Sequence, residues 1–236
     1  MTRAVIVFAK YPKIGTVKTR LAAGIGGQAA TDLYKSFVSK ILQESLKCTG
    51  TSVYLALAAP VEHQLLTEWL QMTADPSAFI LMQQLATPDL GERMRNAMQH
   101  VIDTGATEVV LVGSDIPDLD AGILTEAFAA LSSDEIVFGP AQDGGFYLVG
   151  ARRLHRHLFQ GITWSTSDVL VNTVKQAESC GLVVAVTNNL PRLRDIDTAE
   201  DLEAWLAQAK STAACLDGMM RLAEESLRPR MERRLA

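Results

Sequence analysis

Cysteine is scarce in this sequence: Cys48, Cys180 and Cys215 stand far apart, odd in number and without a C-x-x-C spacing. That scarcity argues against a disulfide framework and a zinc site, and it fits a reducing cytoplasm. Histidine is scarce too. His63, His100, His155 and His157 fall on predicted helices away from the chemistry-bearing segments and are read as surface or satisfied residues rather than metal ligands. Long apolar runs are missing: none approaches the ~18 residues of a membrane helix. The opening run at residues 4–9 is too short for a signal-peptide core and lacks a small-residue cleavage pattern after it. A soluble, unprocessed, cytoplasmic protein with no membrane partner is expected. Neither a Walker pattern nor G-x-G-x-x-G occurs, which disfavours an ATPase and a dinucleotide dehydrogenase. Ser114 lacks a G-x-S-x-G elbow, which argues against a hydrolase nucleophile.

An excess of positive charge is absent as well. The formal net charge is −5, so nucleic acid is not an expected partner. The charge is unevenly spread, however. Residues 1–31 hold Arg3, Lys10, Lys13, Lys18 and Arg20 and no acid, a local +5 against −10 for the remainder. A cationic site on an acidic protein suits a small anionic ligand. With 236 residues, 48% of them hydrophobic, the chain can fill the core of one large α/β domain or two small ones.

Hydrophobic patterning alternates strand and helix. Continuous apolar runs predict strands at residues 4–9, 53–58, 79–82, 109–112, 135–139 and 182–186, and a strand that starts on two glycines at 144–150. Helical spacing predicts helices at 28–46, 61–72, 90–102, 123–131, 165–175 and 198–209, with Leu65, Leu66, Trp69 and Leu70 inward on the second. Ser165-x-x-Asp168 looks like a capping box, and Asp197 or Thr198 like the start of the last helix. No helix fits between Gly139 and Phe146, so the predicted fold is α/β: a doubly wound, mainly parallel sheet with an antiparallel insertion near Phe146. Residues 1–210 read as the main domain. Residues 211–236 read as a helical tail whose apolar residues pack on the main domain or on a partner subunit.

Three segments and one strand end could carry chemistry. The apolar run at 109–112 stops at Gly113-Ser114-Asp115-Ile116-Pro117-Asp118, which stands Asp115 where α/β sheets bind ligands; Asp118 or Asp120 is placed to cap the next helix. The loop 8–21 joins the first strand to the first helix and carries Lys18, Arg20 and the flexible Gly15, suited to phosphates. Asp143-Gly144-Gly145 combines a hairpin-turn signal with a carboxylate that could hold a sugar hydroxyl or act as a base. Asp195 and Asp197 would share a side of an extended segment, as hard divalent cations require, while helix capping also accounts for Asp197.

Taken together, FAKYPKIGTVKTRL (8–21), DLGERM (89–94), GSDIPDL (113–119), GPAQDGGFYLVG (139–150), Trp164-Ser165 and DIDTAEDL (195–202) resemble the nucleotide-diphospho-sugar transferase superfamily, the glycosyltransferase type A fold. More narrowly they resemble its bacterial DUF2064 branch of small stand-alone transferases, some linked to arsenosugar biosynthesis. The resemblance spans residues 3–207 and does not reach the tail. It implies a Mg²⁺ or Mn²⁺ ion held by Asp115 with Asp197, Asp195 being nearby. It implies a nucleotide contacted by Ala9, Lys10, Gly15, Lys18, Arg20 and Ser114, with Gln84, Asp89 and Gly91 after the third strand near base or ribose. Donor or acceptor would meet Asp143, Gly144, Gly145 and Trp164, and Asp115, Asp143, Lys18 and Arg20 would do the chemistry. Where many glycosyltransferases carry D-x-D, this chain has Asp115-Ile116-Pro117.

The expected activity is metal-dependent glycosyl transfer from a nucleotide-diphospho-sugar to a small-molecule acceptor. A nucleotidyltransferase, joining an NTP to a phosphorylated small molecule with release of pyrophosphate, is the alternative. A non-enzymatic nucleotide-binding module is the second. Oligomeric state stays open.

Overall fold

The computed structural model describes residues 2–71, 75–185, 190–209 and 217–235. Six strands form one sheet: β1 (Arg3–Ala9), β2 (Thr51–Leu57), β3 (Ile80–Gln83), β4 (Glu108–Gly113), β5 (Ile136–Pro140) and β6 (Phe146–Ala151). Their order is β3-β2-β1-β4-β6-β5, with β1 to β4 parallel and β6 antiparallel to both of its neighbours. The antiparallel insertion falls where the missing helix predicts it. Between β5 and β6 the chain reverses in a tight turn, Ala141 N–H donating to Gly145 C=O at 2.9 Å.

Alternation along each strand sends side chains to opposite faces. Val5 and Val7 of β1 pack with α2 (Gly27–Leu46), α3 (His63–Gln71) and α5 (Ala121–Ala130), while Ala4 and Ile6 pack with α4 (Leu90–Asp103) and α6 (Val169–Ser179). A third apolar cluster lies outside this sandwich. Ala30, Leu33 and Phe37 on the far side of α2 meet Leu21 of α1 (Thr19–Ile25), Trp205 of α7 (Ala199–Ala209), and Ala223 and Leu227 of α8 (Asp217–Leu235). Thus α2 is apolar on two sides because it is covered on two sides, and the C-terminal helix packs on α1, α2 and α7. Among the described residues no helix is long and apolar enough to cross a membrane.

Several local expectations differ. Helix α1 escapes a periodicity search because it holds only seven residues between a left-handed Lys18 and Gly26. Leu65 is exposed, and only Trp69 and Leu70 are buried from α3. Ser165 sits at φ 63°, outside the geometry of a capping residue, and Asp168 precedes α6 without a side-chain cap. His155 and His157 lie on a turn rather than a helix. In the segment predicted as a last strand, Val184 makes a single bridge to Ile136; residues 186–189 lie outside the described residues.

Sheet order positions the site. From β1 the chain passes to β2 on one side, and it later returns to β4 on the other. The carboxyl ends of β1 and β4 therefore flank the switch point, where open α/β sheets form a ligand crevice.

Candidate active site

A cleft of about 500 Å³ opens at that switch point. Its size is within the usual range for a small-molecule site. Ala9 reaches it from the end of β1, Lys10 and Lys18 from the loop that follows, Arg20 from the first turn of α1, Ser114 and Asp115 from the end of β4, Asp143 and Gly145 from the β5–β6 turn, and Asp197 from the approach to α7.

Asp197 is brought to Asp115 by main-chain bonds. Leu193 N–H donates to Pro140 C=O and Gln142 N–H to Leu193 C=O, so Leu193 bridges the chain just beyond β5; Ile196 N–H then donates to Asp115 C=O at 3.1 Å. The segment stops there because α7 starts with a reciprocal cap. Asp201 accepts from Thr198 N–H at 2.8 Å while Thr198 Oγ1 accepts from Asp201 N–H at 3.2 Å, a capping box with aspartate in the glutamate position. Thr198, not Asp197, caps the helix. The Asp197 side chain is left for the cleft.

Lys18 joins the two acids. Its Nζ lies 3.0 Å from Asp115 Oδ1 and 2.9 Å from Asp197 Oδ1, which puts these two oxygens no farther apart than the sum of those distances. Burial lowers the affinity of the Lys18 amine for its proton, but the adjacent carboxylates outweigh it and hold the pKa above the ordinary lysine value. The Lys18 backbone is left-handed, φ 48°, a conformation costing roughly 1–2 kcal/mol outside glycine. The loop sequence expects Lys18 to face phosphates; the structure gives its ammonium to the acids. Arg20, 73% exposed and 3.7 Å from Asp197 Oδ2, and Lys10 are the exposed cations that line the cleft and stand open to an anion.

Tyr34 of α2 fixes the loop from below. Its hydroxyl accepts from Lys10 N–H at 2.8 Å and lies 3.1 Å from Ser114 Oγ, so it ties the end of β1 to the end of β4. Burial and the charge of Asp115 push its phenol far above the ordinary tyrosine value, and it stays protonated. Gln84 performs the same service across β1–β3. Its amide donates to Ala56 C=O at 2.8 Å while its carbonyl accepts from Arg93 Nη1 at 3.1 Å. Arg93 lines the cleft, and its Nε is buried without a hydrogen-bond partner. Phe146 and Trp164 form an aromatic wall, ring centroids 6.2 Å apart.

Five expected site residues do not line the cleft. Gly15 is in the loop but off the cleft wall. Asp89 caps α4, accepting from Glu92 N–H at 2.9 Å. Gly91 lets α4 pack closely, since a Cβ there would stand 2.6 Å from Phe159 Cβ and 3.0 Å from the Trp164 ring. Asp195 is half-buried, and burial, followed by the negative charge of Asp143, raises its pKa above the usual carboxylate value. Gly144 shapes the turn: with φ +93° and an imaginary Cβ 2.0 Å from Ser167 C=O, it admits no side chain. Gly144→Ala should cost about 2–3 kcal/mol in urea unfolding, and a cost below about 0.5 kcal/mol would show that the turn can move aside. Sequence reasoning misses Tyr34 and Arg93. Arg93 lies within DLGERM, which signals the segment; Tyr34 is masked by the apolar pattern of α2.

Whether these residues suit a divalent cation depends on the donor set. Among the described residues no three metal-ligating side chains converge. Asp115 Oδ1 is buried against the Lys18 ammonium, 3.0 Å away, so the exposure of that carboxylate lies at its second oxygen; both carboxylates are more than two-fifths exposed and line the cleft. Such a pair fits a Mg²⁺- or Mn²⁺-like ion that takes its remaining ligands from phosphates and water; it does not fit a cation caged by protein alone.

Residues 41–166 match the family described as "Uncharacterized protein conserved in bacteria (DUF2064)". The chain belongs to the DUF2064 family. A solved structure from Desulfovibrio desulfuricans G20, described as a "putative nucleotide-diphospho-sugar transferase", is similar to this DUF2064 chain at 32% identity with TM-score 0.84, covering 97% of each chain. A cytidylyltransferase from Leptospira borgpetersenii serovar Hardjo-bovis shares the fold at 14% identity and TM-score 0.54, over 98% of this chain and 96% of that one. So does a mannosyltransferase from Pyrobaculum calidifontis in complex with GDP-Man and Mn²⁺, at 12% identity and TM-score 0.51, over 96% and 69%. No curated protein matches the chain. This DUF2064 chain has the nucleotide-diphospho-sugar transferase fold, with its cleft at the switch point of the sheet.

Proposed function

We propose that this protein transfers a glycosyl group from a nucleotide-diphospho-sugar to a small-molecule acceptor, with Mg²⁺ or Mn²⁺ as cofactor. The observation that carries the reading is the Asp115–Asp197 pair at the switch-point cleft, beside Lys10 and Arg20. Asp115 and Asp197 would hold the cation against the diphosphate, and the cation would offset charge on the departing nucleoside diphosphate. Arg20 and Lys10 bind the phosphate oxygens and add charge-assisted bonds as the leaving group forms. In the transfer the bond from the sugar anomeric carbon to diphosphate oxygen breaks, an acceptor atom bonds that carbon, and the acceptor releases a proton. Asp143 takes that proton. It is exposed at the cleft, and its Oδ1 is fixed by Gly145 N–H at 2.8 Å. The aromatic wall of Phe146 and Trp164 supplies the apolar surface that a sugar ring or acceptor stacks on.

One observation favours a second reading, nucleotidyl transfer. The two acids come from segments distant in sequence instead of from one D-x-D, and an NTP α-phosphate could occupy the same place. A thermal-shift panel of NDP-sugars and NTPs with Mn²⁺ or chelator, followed by product analysis, decides. Metal-dependent stabilisation by an NDP-sugar, with nucleoside diphosphate released, is expected. Pyrophosphate release from an NTP establishes the second reading, and ligand binding indifferent to chelator overturns the metal role.

A further inference from the structure

Lys18 differs from its acidic partners in depth. Its side chain is 4% exposed, whereas Asp115 and Asp197 are 42% and 43% exposed. Since Asp115 Oδ1 is itself buried, the exposure of that carboxylate belongs to its other side. The ammonium therefore grips the inner edges of the two acids, and their outer edges face the cleft. Two carboxylates alone would present a charge of −2 to a divalent ion; with the ammonium between them the cluster presents −1. Arg20, 3.7 Å from the second oxygen of Asp197, reduces it further. A cation arriving by itself thus meets a site that is already largely neutralised. A cation arriving with a diphosphate brings its own negative charge and additional oxygen ligands.

We propose that Lys18 makes metal capture conditional on the nucleotide, acting as a fixed internal counter-cation that keeps the empty site from binding divalent ions tightly. The inference rests on the metal role of Asp115 and Asp197 in the reading above, and it assigns Lys18 to those acids instead of to the phosphates. Its cost is weak binding of free metal. Its consequence is that metal and nucleotide enter as one unit.

The test is Mn²⁺ binding, followed by the electron paramagnetic resonance of free Mn²⁺, with and without a panel of nucleoside diphosphates. Wild-type protein should bind Mn²⁺ alone at least about tenfold more weakly than in the presence of a nucleoside diphosphate that binds. Lys18→Met, neutral and close in length, should bind Mn²⁺ alone about tenfold or more tightly than wild type, because a unit charge within a few ångströms of the ion has been removed. Lys18→Arg, which keeps the charge, should stay near wild type, and adding Asp115→Asn to Lys18→Met should abolish the gain. If Lys18→Met does not fold by circular dichroism, Lys18→Gln carries the same expectation. Equal affinity of wild type and the neutral variant for Mn²⁺ alone, in a protein that still binds Mn²⁺ with nucleotide, overturns the role of Lys18 and leaves the metal site intact. Failure of every form to bind Mn²⁺ under any condition overturns the metal site as well.

Discussion

Asp115→Asn is expected to lower turnover about 10³-fold or more while leaving the fold in place. Asparagine keeps the shape but loses the charge that would hold a cation at the diphosphate. Removing one such electrostatic contact in a preorganised site costs about 10²–10³-fold, and here the loss is twofold in kind: Lys18 would also keep only Asp197 as its partner. The rate to measure is release of nucleoside diphosphate from the donor found in the ligand panel, with Mn²⁺ saturating. Asp197→Asn should follow the same direction. Turnover of Asp115→Asn within about tenfold of wild type would remove this carboxylate from the chemistry.

Trp205→Ala should produce the largest loss of stability, about 3–5 kcal/mol in urea unfolding. The indole is buried in the outer cluster and its Nε1 donates to Asp118 Oδ1 at 2.8 Å. Burial raises the Asp118 carboxyl above its usual value, and the indole bond opposes that shift; alanine would leave both a cavity and a poorly solvated carboxyl. Trp205→Phe retains much of the volume and removes the donor, so about 1–2 kcal/mol should be lost. This cluster bears on the site because it joins α1, which follows Lys18, to α7, which follows Asp197. A cost below about 1 kcal/mol for Trp205→Ala would mean that the outer layer contributes little to holding these loops together.

How much could be read in advance differs residue by residue. The position of Asp115 at a strand end is legible because β4 is a continuous apolar run, and such runs end where open sheets form a crevice. The antiparallel β6 is legible because only five residues, 141–145, separate it from β5, too few for a crossover helix. Asp89 and Gly91 lie off the cleft wall, where the same residue types serve helix capping and close packing. Lys18 was legible as a cation but not as to its partner: a basic loop reveals charge, whereas the left-handed backbone at Lys18 and the depth of its ammonium are properties of the folded chain.

Local patterning alone determined the alternation of strands and helices, the break near Phe146, the cationic opening loop and the acid beyond β4, since each depends on residues within one strand or turn of each other. Tertiary structure alone decided that Asp197 stands beside Asp115 with an ammonium between them, that Tyr34 and Arg93 belong to the cleft, and that α8 closes a third apolar layer. These relations arise from long-range bonds such as Ile196 N–H to Asp115 C=O, whose partners no periodicity connects.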